Sequence, residues 1–284
     1  MNKNFYYVIV LIFIFSFQCF PQTQGKLLIV GGRQTYMIEK KFVEVAGGSN
    51  ARIIIIPNAG SEPKRMSEIE QKTFNNLGAK TDYILFTKET ADDEANLKKM
   101  DWANAVFFTG GDQSDLTRDM LGTKLLQKVF DIYNNGGTVG GSSAGAAVMS
   151  EVMITGNELV HNDSIGSFIT IEKNNIETKL GFGFLKTVII DQHFLKRKRH
   201  NRTISAVIEH PNLLGVAIDE STSIIVNPDN TFDVYGDNQV LVYDATGAKN
   251  IRQDKNGNLG ISDMKLHVLI NGDKFDLKSK KVIE

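Results

Sequence analysis

Cysteine is almost absent from this sequence: Cys19 is the only one in 284 residues, and it sits just behind a leading apolar run. A disulfide framework is therefore excluded, and so is a cysteine nucleophile in any domain that begins after that point. An excess of charge of either sign is also missing. With 32 basic and 33 acidic residues the formal net charge is -1, which is not the electrostatic footprint of a nucleic-acid binder, and no nucleic-acid partner is expected. No apolar run reaches the roughly 20 residues that a stable membrane span requires. His, Asp and Glu nowhere cluster at the spacing that zinc sites use, so no metal and no cofactor is expected. Neither an internal repeat nor a low-complexity linker sets off a second large domain.

What stands at the N-terminus is Lys3 followed by the apolar stretch Phe5 to Phe17. It is short for a span but suits the apolar core of a secretory signal, so residues 1–25 read as a signal peptide cleaved between Cys19 and Lys26. The protein is expected to be exported, to a periplasm or out of the cell. Phe17 and Gln18 stand where lipoprotein processing takes small residues, which argues against lipidation of Cys19.

Beyond the signal, a hydrophobic content of 42% is ample for one large core. Apolar runs without alternation (26–30, 53–56, 83–86 and 105–109) take turns with amphipathic stretches over 62–77, 91–100 and 116–133. That order predicts an α/β fold, a mostly parallel sheet with helices on both faces. Further strands are expected at Val188 to Phe194 and Leu213 to Glu220. From Ser223 onward short strands broken by Asn227-Pro228-Asp229-Asn230 and Gly236-Asp237-Asn238 predict an antiparallel extension. One domain over 26–249 is expected, with 250–284 as a β extension packed on it, its stretch Lys265 to Asp276 reading as a hairpin.

Ligands of such sheets bind beyond the carboxyl ends of the strands. There the sequence places Gly110-Gly111 and the corner Gly141-Ser142-Ser143-Ala144-Gly145. A serine at a sharp strand-to-helix turn between glycines is open to a carbonyl, and the backbone N–H groups of Ala144 and Gly111 can receive an oxyanion. A serine nucleophile needs a base, and the base an orienting carboxylate. His193 and Glu220 also stand at strand ends. His161, His200, His210 and His267 fall in loops, beside a basic helix or in the late β region, and are weaker candidates.

Four segments together resemble the cyanophycinases, within the serine peptidases related to aspartyl dipeptidase. They are Phe108-Thr109-Gly110-Gly111-Asp112-Gln113, Gly140 to Ala146, Asp191-Gln192-His193-Phe194 with Arg197, Arg199 and Arg202, and Gly215 to Glu220. The resemblance runs from Lys26 to about Ala245. It implies a class I glutamine amidotransferase-like fold, with Ser143 as nucleophile, His193 as general base then acid, and Glu220 as the carboxylate that holds the imidazole. It also implies that arginines at 197, 199 and 202 help hold an aspartyl substrate, and that the protein forms a homodimer. Gln113 and Gln192 either brace their loops or touch substrate; Asp191 either attracts a cationic substrate side chain or caps its loop. The family often has threonine where this chain has Ser142. The expected substrate is an aspartate- and arginine-rich peptide or polyamide, foremost cyanophycin cleaved at β-aspartyl linkages to β-Asp-Arg dipeptides. Alternatives are a general aspartyl or isoaspartyl dipeptidase and a non-catalytic binding protein of the same fold.

Overall fold

Five parallel strands carry the centre of the protein: β1 (Lys26–Val30), β2 (Arg52–Ile56), β3 (Lys80–Tyr83), β4 (Ala105–Phe108) and β5 (Thr138–Ser142), adjacent in the order β1-β5-β4-β2-β3. The computed structural model describes residues 25–161 and 168–284; the stretch expected to be a signal peptide, all but Gly25, and with it Cys19, lies outside the described residues. Strands β1, β2 and β4 are buried along nearly their whole length. Both faces are covered, which is why their sequences do not alternate.

Successive residues feed two separate cores, as the two-residue period of a strand requires. Leu28, Val30, Ile53, Ile55 and Phe107 meet Ile38 and Phe42 of helix α1 (Tyr36–Val45) and Phe74 of α2 (Pro63–Asn76). Leu27, Ile29, Ile54, Ile56, Val106 and Phe108 face the other way. They meet Met100 of α3 (Glu94–Trp102), Leu116 of α4 (Gln113–Met120) and Val129 of α5 (Lys124–Asn134). Side-chain caps start three of these helices: Thr35 accepts from the Ile38 N–H, Asp112 from Ser114 and Thr123 from Leu126.

After the four-residue α6 (Ala144–Ala147), strands β6 (Val152–Glu158) and β7 (Ile176–Leu180) pair with each other. Then come β8 (Val188–Gln192), α7 (His200–Glu209), β9 (Leu214–Ile218), β10 (Thr222–Val226), β11 (Thr231–Gly236), β12 (Val240–Asp244), the pair β13 (Lys249–Gln253) and β14 (Leu259–Ser262), β15 (Lys265–Leu269), β16 (Lys274–Asp276) and β17 (Lys281–Ile283). Antiparallel β10, β11, β16 and β17 extend the main sheet beyond β1, giving nine strands in a mixed sheet with a parallel core. A second sheet runs β15-β12-β9-β8, in which only β8 and β9 are parallel.

Several expectations need correction. Strand β3 spans 80–83 rather than 83–86; as an edge strand it is half-exposed, so its sequence lacks the apolar run that marks its neighbours. The stretch 116–133 is two helices, separated at Gly122, whose φ of 79° no helix accommodates. Residues 265–276 are not a hairpin: β15 joins the second sheet and β16 the first, where Phe275 stacks on Phe232 with centroids 5.4 Å apart.

Phe42 packs against Phe74 and Phe107 with ring centroids 5.4 and 4.9 Å away and is fully buried. Phe42→Ala is expected to lower unfolding free energy by about 3–5 kcal/mol in a urea titration; a loss below about 1 kcal/mol would mean that this layer refills the cavity.

Candidate active site

Ser143 occupies the corner between β5 and α6 with φ 55° and ψ -108°, a conformation that side chains with a Cβ adopt only where their surroundings impose it. The corner is tight because Gly145 lies against the Phe108 carbonyl and Gly141 against Gly145; a Cβ on either would overlap backbone atoms. The Ser143 N–H donates to the Val30 carbonyl at 3.1 Å, fastening the corner to β1. Ser142 is the last residue of β5 and is buried, so the hydroxyl presented at the corner belongs to Ser143.

His193 follows β8 with φ 50°, and its N–H donates to the Gly31 carbonyl at 2.5 Å. Its Nε2 lies 2.8 Å from Ser143 Oγ and its Nδ1 2.8 Å from Glu220 Oε1. Glu220 follows β9. The second sheet thus supplies the imidazole and the carboxylate, and the first sheet the hydroxyl. Burial pushes the His193 pKa below its usual 6.5, with Arg197 and Arg199 adding to the shift and the hydrogen bond to Glu220 opposing it. Its hydrogen bond to His193 holds the Glu220 carboxyl below the usual carboxylate range. At neutral pH the pair is therefore a neutral imidazole beside a carboxylate. With Nδ1–H donated to Glu220, the Nε2 lone pair faces the hydroxyl, the arrangement from which an imidazole can take its proton.

Gly110 runs beside the serine: a Cβ built on it would stand 3.3 Å from Ser143 Cβ. Gly111 follows with φ 144°. Ala144 opens α6, and among the described residues its N–H finds no acceptor. Both backbone segments therefore border the hydroxyl.

The other six predicted residues separate into different environments. Asp191 and Arg202 are each 1% exposed and bound to each other, Arg202 Nε donating to Asp191 Oδ2 at 2.8 Å and Arg202 Nη2 to Oδ1. Thr203 Oγ1 donates to the same carboxylate at 2.5 Å, a partner that sequence reasoning missed because a threonine in a helix carries no distinguishing signal. Burial alone would raise the Asp191 pKa, but Arg202, Arg199 and Thr203 hold it below the carboxylate range. The expectation that Arg202 helps hold substrate is corrected, because it is buried on Asp191; of the two readings of Asp191 its burial favours the internal one, since its carboxylate also accepts from the Gln192 N–H at 2.7 Å.

Arg199 donates to the carbonyl and side-chain oxygens of Gln192 at 2.7 and 2.6 Å, and its pKa is pulled down to about 9, first by burial and then by Arg202. Gln113 is buried and its Nε2 donates to the Ile154 and Thr155 carbonyls, so that amide braces β6. Arg197 alone of the three arginines is exposed. A groove of about 790 Å³ between Leu159, Ile176, Glu209 and Arg252 includes none of Ser143, His193 and Glu220. Among the described residues no group of three or more His, Cys, Asp or Glu is placed to hold a metal, and no helix is long and apolar enough to cross a membrane.

Fold and site together define the class, a serine-type peptidase on an α/β sheet. The profile of peptidase family S51 matches residues 27–234, and the chain belongs to that family. It is 32% identical over 269 residues to a cyanophycinase of Thermosynechococcus vestitus, covering 91% of this chain and 81% of the relative. It is 33% identical over 274 residues to the cyanophycinase of Nostoc sp. PCC 7120, covering 93% and 89%. Among solved structures, a peptidase from an acI-B1 Actinobacterium superposes with a TM-score of 0.65 at 20% identity, over 90% of this chain and 98% of the other. A putative peptidase E from Listeria monocytogenes gives 0.51 at 12% identity, over 75% and 98%. These two likenesses concern the fold.

Arg202→Met leaves the Asp191 carboxylate buried without its cation, and a loss of about 3–5 kcal/mol is expected in chemical denaturation near neutral pH. Because the folded-state pKa of Asp191 lies below its ordinary 3.8, the stabilisation from this pair is complete above that pH and is lost as pH falls through the lowered value. The gap between wild type and variant should narrow in that acid range; equal stabilities at neutral pH would remove the pair from any structural role.

Proposed function

We propose that this chain is an exported serine peptidase that cleaves β-aspartyl linkages, with cyanophycin as substrate and β-Asp-Arg dipeptides as products. The hydrogen-bonded line Ser143–His193–Glu220, in a chain of family S51, is the observation that carries the reading. The relatives named cyanophycinase support the choice of substrate, and the N-terminal apolar run supports export.

In this mechanism Ser143 Oγ attacks the scissile carbonyl as its proton passes to His193 Nε2. Glu220, accepting from Nδ1, keeps the ring in the required tautomer and stabilises the imidazolium. The developing oxyanion is received by the Ala144 N–H and the Gly111 N–H. His193 then returns the proton to the leaving amine, and a water activated by the same imidazole releases the acyl group from Ser143. Exposed Arg197, close enough to depress the His193 pKa, offers a guanidinium fork to a substrate carboxylate.

Dipeptide release from purified cyanophycin is expected to fall by at least about 10³-fold in Ser143→Ala and by about 10³–10⁴-fold in Glu220→Gln. Undiminished release by Ser143→Ala would refute the nucleophile. No release by the wild type, together with labelling of Ser143 by a serine-directed phosphonate, would refute the substrate alone.

The reaction needs the neutral imidazole, and burial lowers its pKa. The acid limb of kcat/KM is therefore expected below pH 6.5; a limb above that pH would contradict the assignment of His193 as base.

A further inference from the structure

Glu70 on α2 is a carboxyl without a cation. It is only 5% exposed, and its Oε1 accepts one hydrogen bond, from Gln34 Nε2 at 2.8 Å. Burial pushes its pKa up to about 7, the Gln34 bond acting against that and the nearby Glu39 of α1 adding to it. Among the described residues no ion pair offsets the burial, and Asp82 on the neighbouring β3 is engaged by Lys99. An apolar residue at this place on α2 would avoid the cost of burying a carboxyl, so the placement of this acid calls for a reason.

Gln34 supplies it, because it ends the loop that follows β1. Val30 accepts from the Ser143 N–H at 3.1 Å, Gly31 from the His193 N–H at 2.5 Å, and Gly32 and Arg33 both from the Ser221 N–H at 3.2 Å. Ser221 is the residue after Glu220. Gly32, at φ 128°, lies so close beneath the imidazole that any Cβ would overlap the ring. Arg33 is held at φ 29°, outside the conformations open to it at low cost. Four consecutive residues, the last of β1 and the first three of this loop, therefore touch the segments of all three site residues, and the next side chain is fastened to Glu70.

We infer that Glu70 is a positioning residue: through Gln34 it fixes the Gly31–Arg33 loop, and through that loop it sets the alignment of His193 with Ser143. The inference rests on the reading of Ser143 and His193 as nucleophile and base. Glu70 touches no reacting atom. It acts on the register of the base relative to the hydroxyl, where a displacement of about 1 Å is enough to lower a rate by about 10²-fold.

The test is the inactivation rate constant of the full chain with a serine-directed phosphonate, which reports the reactivity of Ser143 without any assumption about substrate. Glu70→Ala and Gln34→Ala are each expected to lower it about 10- to 100-fold at a temperature where melting curves show both variants folded. The double variant should lose no more than either single one, because both cut the same link. Glu70→Gln, whose amide oxygen can still accept from Gln34, should react close to the wild-type rate. A merely structural role would lower the melting temperature and leave the rate constants of folded protein unchanged, and that outcome overturns the inference. Should Glu70→Ala fail to fold, Gln34→Ala, altered at a partly exposed side chain, decides alone. Failure of the wild type to react at all would remove the nucleophile assignment and this role with it, whereas unchanged variants beside a reactive wild type remove this role only.

Discussion

Backbone carbonyls at the end of β1 hold the candidate site together. Val30, Gly31, and then Gly32 with Arg33 accept in turn from Ser143, His193 and Ser221. These donors belong to corners that follow β5, β8 and β9, and the three corners have residues with positive φ at Ser143, His193 and Ser221. Such corners cannot pair within their own strands, so their N–H groups need acceptors elsewhere. One strand end provides all of them. Removing that anchor would release three strained turns together, which makes the geometry of Ser143, His193 and Glu220 a collective property and not that of any one loop.

A second constraint lies beneath the first. His193 is separated from buried Asp191 by one residue, and Asp191 is clamped by Arg202 and Thr203 from α7. Arg199 joins through both oxygens of Gln192. A buried ion pair of this kind adds little to net stability compared with apolar packing, but it tolerates only one arrangement of its partners. Here it ties α7 to the end of β8, two residues before His193. The basic segment that in sequence looks like a single substrate-binding group is therefore divided in space: Arg202 is inside, Arg199 partly so, and Arg197 faces solvent.

The parallel core was legible because its strands are buried on both faces, and burial writes itself as unbroken apolar runs: four residues each behind Lys26 in Lys26–Val30 and behind Arg52 in Arg52–Ile56, and all of Ala105–Phe108. Edge strand β3 was misplaced because half-exposed strands carry no such run. The partition of the later strands into two sheets was not legible at all, since β15 and β16 look like a hairpin locally and are parted by long-range packing, Leu269 in one sheet and Phe275 against Phe232 in the other. In the site, Ser143, His193 and Glu220 could be picked out because each closes a strand and each has the right chemistry. The Asp191–Arg202 pair could not, because the charge of a residue says nothing about which way it points. Gln34 and Glu70 gave no signal either: their importance comes from a contact across 36 positions of sequence.

The guanidiniums left near the imidazole have an electrostatic consequence. Arg197 and Arg199 both depress the His193 pKa, acting against Glu220, which raises it. Half-buried Arg199 is screened less than exposed Arg197, whose influence therefore weakens as salt rises. A ligand carboxylate paired with Arg197 would cancel part of that depression and leave Glu220 to act with less opposition, so that the imidazole becomes a stronger base when an anionic ligand is bound than when the site is empty. Burial of the ring acts in the opposite direction in both states and does not distinguish them. Under the proposed function, recognition of a carboxylate and activation of the hydroxyl would be tied through one exposed cation, while Arg202 is already paired with buried Asp191.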